Sequence, residues 1–126
     1  MEDKYLTDGE ARFMQIIWAE EPVPSGRLVQ LCLERLGWKK STTYTMLKRL
    51  AEKGCVRNDG AVVTALRSRA AVGAEESARV VESRFSGSLP GFLVAFLGGR
   101  TLTENEAEEI KRLIDAHTGS AGENKK

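Results

Sequence analysis

Three consecutive segments with apolar residues at helical spacing, followed directly by a valine-rich stretch that turns at Asn58-Asp59-Gly60, restrict what this chain can fold into. Thr7 stands three residues before Glu10, the spacing at which each side chain satisfies a free amide of a first helical turn. Phe13, Met14, Ile17 and Trp18 then share a face, which predicts a first helix to about Glu20. Two prolines in the run Glu21 to Ser25 break it. Ser25 is placed to cap a second helix that points Leu28, Leu31, Cys32 and Leu36 inward and ends at Gly37. A third helix is predicted from Ser41 to Lys53, closed by Gly54, where a left-handed residue is cheapest. At roughly 100° per residue, Thr43, Met46, Leu47 and Leu50 form its inner side, and Ser41, Thr42, Tyr44, Thr45, Lys48 and Arg49 spread around the opposite side. Valines flanking Asn-Asp-Gly signal a short hairpin. Three helices and then a hairpin is the order of a winged helix-turn-helix.

From Ala70 the pattern changes. Ala74, Ala78, Val81 and Phe85 recur at alternating steps of four and three, a seam suited to packing on another helix. Leu89, Phe92, Leu93, Phe96 and Leu97 form a short apolar helix with Pro90 in its first turn. Thr103 and Glu106 repeat the capping-box spacing ahead of Ala107, Ile110, Leu113 and Ile114. About 50 residues make a poor core alone, so this half reads as a helical dimerisation region built on Ala74, Ala78, Val81, Phe85, Leu89, Phe92, Leu93 and Phe96. The expected architecture is therefore mainly α with a small β-hairpin. A winged-helix domain at 1–70 is followed by the helical region at 71–118 and a polar, disordered tail at 119–126.

Net charge over the 126 residues is only +1, so its distribution has to decide what the chain meets. Residues 39–58 hold Lys39, Lys40, Lys48, Arg49, Lys53 and Arg57 against Glu52 alone, a local charge of +5, while the stretches before and after are acidic or near neutral. A charge peak of this kind is the footprint expected for a nucleic-acid partner. No apolar run approaches the ~20 residues of a membrane span and the acidic start is no signal peptide, which together point to a cytoplasmic protein without membrane insertion.

Catalytic and metal chemistry find little support. His117 is the single histidine, at the end of the last helical segment, where it suits the negative helix dipole. Cys32 and Cys55 sit in apolar surroundings without metal-ligand or redox spacing. The acidic run from Thr103 to Glu109 reads as a solvated first turn, not a metal cluster. Neither an enzyme, a cofactor nor a metal site is expected.

The third helix is more informative. The second helix of a helix-turn-helix lies in the major groove, where hydroxyls and aromatic or methyl groups reach base edges and cations hold phosphates. Ser41, Thr42, Tyr44 and Thr45 are the base-reading candidates, and Lys39, Lys40, Lys48 and Arg49 the phosphate-holding ones. Arg57, with Asn58, stands at the hairpin, where it could reach the DNA backbone or minor groove. A winged-helix scaffold can also serve as a protein-interaction adaptor, its basic helix set against an acidic protein surface.

The run from Leu6 to Gly54 resembles the N-terminal domain of the penicillinase-repressor (BlaI/MecI/CopY) family of transcriptional regulators. The shared features are an apolar first helix ending in Ile17-Trp18, Trp38 just before the third helix, and the spacing of Thr42, Thr45, Leu47, Arg49, Leu50, Lys53 and Gly54. The likeness continues through the segment Arg84 to Leu97 and the last helix. It implies a homodimeric repressor that binds double-stranded DNA at a palindromic operator and is released when a membrane-bound sensor protease cleaves it. Operator contacts would fall on Ser41, Thr42, Tyr44, Thr45 and Arg49, and the cleaved bond on Ala95-Phe96. Ala95 stands where antibiotic-responsive members carry asparagine. The ending Thr118 to Lys126 lacks the cysteines of copper-responsive members, and Lys39-Lys40 replaces the family's usual serine-proline opening of the third helix.

Overall fold

A computed structural model describes residues 5–118, so the tail expected at 119–126 lies outside the described residues. The element order is α1 (Asp8–Glu20), β1 (Val23–Pro24), α2 (Ser25–Leu36), α3 (Lys40–Glu52), β2 (Val56–Asp59), β3 (Val62–Ala65), α4 (Arg69–Phe85), α5 (Leu89–Leu97) and α6 (Glu104–Ala116). Three helices and a three-stranded antiparallel sheet make a winged helix, and a helical region follows. The chain divides into two compact units after Val80, with α4 running across the division.

In the first unit α1 opens with the predicted reciprocal cap: Thr7 Oγ1 accepts from the Glu10 amide at 3.2 Å, and the Thr7 amide donates to Glu10 Oε1 at 2.9 Å. Phe13, Met14, Ile16 and Ile17 enter the core beside Leu28, Leu31 and Cys32 of α2 and Leu47 and Leu50 of α3. Gly37 at φ 70 and Gly54 at φ 79 end α2 and α3 in the left-handed conformation, as their positions predict.

Four details differ from the sequence expectation. Ser25 is the first helical residue of α2 rather than its cap. The cap position falls to Pro24, which makes no side-chain bond, and Ser25 is buried. The two prolines do more than break the chain: Val23 and Pro24 form a third strand, paired with Val63 and Val62 of β3, in the order β1-β3-β2. An edge strand tolerates proline because its missing amide faces away from the ladder. α3 begins one residue early, at Lys40, and Met46 is only partly buried at its margin. The hairpin turns on Gly60-Ala61, between paired Asp59 and Val62, with φ 60 and 63. Two consecutive positive φ values are those of a tight two-residue turn whose twist matches the strands.

The first half of α4 is bound to this unit. Val72 is buried, the Trp18 indole donates to the Arg67 carbonyl at 2.9 Å, and the Leu6 amide donates to Glu76 Oε2 at 3.0 Å. Arg67 and Glu75 pair at 2.5 Å, and the Arg69 guanidinium lies over the Trp18 ring, 5.2 Å from its centre.

The second unit has a different texture. Ser88 Oγ caps α5 by accepting from the Gly91 amide at 2.9 Å, and Thr103 with Glu106 closes a second capping box on α6. Phe85 meets Phe92 edge to face at 5.4 Å, and Phe92 stacks on Phe96 at 5.9 Å. Yet no described residue from 81 to 118 is buried. No helix among the described residues is long and apolar enough to cross a membrane.

Candidate nucleic-acid interface

The chemistry singled out in the sequence converges on α3, whose two sides have separate tasks. Thr43, Leu47 and Leu50 are buried, and Leu47 and Leu50 belong to the hydrophobic core. Ser41, Thr42, Tyr44, Thr45, Lys48 and Arg49 are all exposed, as are Lys39 at the cap position and Lys40 in the first turn. The 3.6-residue period produces this division directly from the order of residue types.

Ser41, Thr42, Thr45, Met46 and Arg49 surround a surface hollow of ≈ 210 Å³. Its lining thus combines three hydroxyl-bearing residues, an arginine and a methionine. Met46 was expected in the core, but its position at the edge of the inner arc leaves it shared between the domain and this hollow. On the other flank, Tyr44 Oη donates to Ser25 Oγ at 3.4 Å, which ties the exposed face of α3 to the first turn of α2. Arg57 and Asn58 are exposed on β2, next to Asp59 at the turn.

The charge peak is partly consumed inside the fold. Glu10 is 1% exposed, and its Oε1 accepts from Lys53 Nζ at 2.8 Å in addition to the Thr7 amide. Lys53 Nζ also donates to the Tyr5 carbonyl at 3.1 Å. The second oxygen, Oε2, faces Arg49 Nη1 at 3.7 Å. Burial works against the ionised carboxyl, but the Lys53 hydrogen bond, the Thr7 amide and the charges of Lys53 and Arg49 outweigh it and hold the Glu10 pKa below its ordinary value. Lys53 therefore belongs to the fold, while Lys39, Lys40, Lys48, Arg49 and Arg57 keep exposed side chains.

Glu10 escaped the sequence reading because Thr7-x-x-Glu10 already explains it as half of a capping box. The box on α6, with the same spacing, stays exposed and has no cation on its carboxylate among the described residues, so the motif alone does not reveal the second role. A buried glutamate facing a basic helix is visible only once α1 and α3 are packed together.

The family model of the penicillinase repressor matches residues 6–116. The chain belongs to the penicillinase-repressor family. No curated protein matches it. The match of this penicillinase-repressor chain spans both units, so α4, α5 and α6 are part of the family pattern and not an unrelated extension. Among its described residues no group of histidine, cysteine, aspartate and glutamate is arranged to hold a metal ion.

Of the residues expected to pair two copies, Ala74, Ala78, Leu89 and Phe96 are exposed, and Val81, Phe85, Phe92 and Leu93 are half-buried. Val94, Ile110, Leu113 and Ile114 add exposed apolar surface in the second unit. The 110/113/114 spacing was legible as a helix face, although these three residues were not among those expected to pair two copies.

Proposed function

We propose that the chain is a dimeric transcriptional repressor that lays α3 in the major groove of each half of a palindromic operator. The observation that carries this reading is the exposed face of α3, where Ser41, Thr42, Thr45 and Arg49 line a hollow and Tyr44, Lys39, Lys40 and Lys48 stand exposed on the same helix. The β2–β3 hairpin would lie against the flanking backbone with Arg57, Asp59 limiting how closely it approaches. Access to DNA places the protein in the cytoplasm.

Dimerisation is supported by the second unit. Leu89, Val94, Phe96, Leu113 and Ile114 are between 46% and 74% exposed, and a unit in which no described residue is buried needs a second surface to form a core. A second copy of the same unit supplies one and matches the two-fold symmetry of a palindrome.

Release by a membrane sensor protease rests on the family resemblance at Ala95-Phe96. The bond lies inside α5, where Phe96 stacks on Phe92 and carries the Arg100 guanidinium 4.4 Å from its ring centre, so α5 must open before a protease can seat it. Mass spectrometry of the chain from induced cells should show cleavage there, and an intact chain would count against this step.

Fluorescence anisotropy with duplexes selected from a random pool tests the central claim. Affinity should fall linearly in a plot of log K against log salt, and Arg49→Ala should reduce the slope by about 1. Binding that ignores salt, or no preference for any duplex, refutes it.

A further inference from the structure

Arg49 differs from its neighbours on the outer face of α3 in being tied to a buried carboxylate. Glu10 holds two cations with separate oxygens: Lys53 on Oε1 at 2.8 Å, and Arg49 Nη1 on Oε2 at 3.7 Å. The same Nη1 lies 4.0 Å from Met46 Sδ, at the wall of the hollow that Arg49 lines with Ser41, Thr42 and Thr45. Arg49 itself remains 52% exposed, so the side chain is anchored at one end without being withdrawn from the surface.

The capping box does not require this arrangement, since Glu106 completes an equivalent box on α6 while exposed. Nor does Lys53 require it, because its bond uses Oε1 alone. What the second oxygen adds is a negative charge at ion-pair distance, 3.7 Å, on one side of the guanidinium. A free arginine gives up substantial rotamer entropy when it docks, and an unrestrained cation follows phosphates along any sequence. A guanidinium drawn toward Glu10 at Nη1 is biased to leave the donors of its other nitrogens facing outward, as a two-pronged contact with a base edge demands.

We propose that Glu10 is a positioning residue for sequence reading: from inside the domain it orients Arg49 at the edge of the α3 hollow, so that this arginine discriminates between bases instead of only attracting phosphates. The proposal rests on the DNA-binding reading above. It assigns Glu10 no contact with DNA and no effect on overall charge attraction beyond the one charge that it neutralises.

Glu10→Gln is the informative change. The carboxamide oxygen can still accept from the Thr7 amide and Lys53, but its NH2 group would then face Arg49 with donors where an acceptor stood. The quantity to measure is the ratio of affinities for the selected duplex and for a scrambled duplex of equal length, at one salt concentration. The ratio should fall about 5- to 10-fold, with affinity for the scrambled duplex unchanged or higher.

A role confined to stability would lower the folded fraction and weaken both affinities alike, so an unchanged ratio overturns the proposal. If Glu10→Gln does not fold, the wild-type chain gives the answer through NMR of its arginine side chains. Rotation of the Arg49 guanidinium should be slower than that of the exposed Arg12 in the free protein, and equal rates overturn the proposal. A wild-type chain with no duplex preference removes the DNA reading and this inference together. A preference that survives Glu10→Gln intact removes the inference alone.

Discussion

Replacing Thr43 with valine should stabilise the protein, against the usual direction of core substitutions. Thr43 is fully buried in the first turn of α3, and among the described residues its Oγ1 meets no nitrogen or oxygen partner. Its amide is satisfied by the Lys39 carbonyl at 3.1 Å, so only the hydroxyl is stranded. The hydroxyl also meets the Cys32 thiol, whose pKa burial pushes up against the lowering effect of that contact, and a protonated thiol is a weak partner. Leaving a hydroxyl dry and unpaired costs about 1–3 kcal/mol. Valine keeps the branched shape and nearly the same volume and helix propensity, so packing and backbone effects almost cancel. Allowing for the thiol contact, the net gain should be about 1 kcal/mol, or roughly 5 °C in Tm for a domain of this size. Urea titration of both proteins at one fixed concentration measures it, since association shifts the apparent midpoint. Thr45→Val is the matched control. On the exposed face the same change should leave stability within about 0.5 kcal/mol and weaken DNA binding instead. If Thr43→Val destabilises, the hydroxyl is bonded in solution and the assignment of an unpaired core group is wrong.

Three further outcomes follow from the same packing. Lys53→Met leaves Glu10 buried without its closest cation and should destabilise by about 3 kcal/mol in urea unfolding at neutral pH. Because the folded pKa of Glu10 lies below its ordinary value of 4.5, the stability it contributes is complete above that value and lost as pH falls through the folded pKa. Unfolding measured from pH 3 to 7 should therefore show an acid limb that Lys53→Met flattens; an unchanged limb would refute the role of this pair. Ala61→Gly relieves a side chain held at φ 63 in the hairpin turn and should raise stability by about 0.5 kcal/mol after glycine's own entropy is deducted; a loss would show that the turn differs in solution. Leu113→Glu places charge on the exposed apolar face of α6 and should shift the chain from dimer to monomer in light scattering at micromolar concentration; a dimer that survives lies elsewhere.

The fold was legible wherever one local rule decided the outcome. Thr7 with Glu10 and Thr103 with Glu106 announced two helix starts, and Gly37 and Gly54 announced two ends, because capping is settled within a single turn. The inner and outer sides of α3 followed from helical period alone. The third strand was hidden, since two residues, one of them a proline, carry no alternation and pair only with partners about forty positions away. Ser25 misled for a related reason: it has the chemistry of a cap, but strand β1 ends against it and directs its side chain inward toward Tyr44. For the candidate site, the exposed hydroxyls and cations were readable as residue types. Their coupling to Glu10 was not, because it depends on how α1 and α3 meet. In the second unit the apolar spacing was visible, whereas its exposure is a property of the folded chain.

The exposed face of α3 is not uniformly free to change. Ser41, Thr42 and Thr45 make no side-chain hydrogen bond among the described residues, whereas Tyr44 is tied to Ser25 and Arg49 to Glu10. On the proposed DNA-reading role, substitution at the three untethered positions should redirect which bases are preferred while leaving the domain's stability nearly untouched. Changes at Tyr44 or Arg49 disturb partners inside the domain. Divergence of binding preference among relatives should therefore begin at 41, 42 and 45, with 44 and 49 following only when their buried partners change in step.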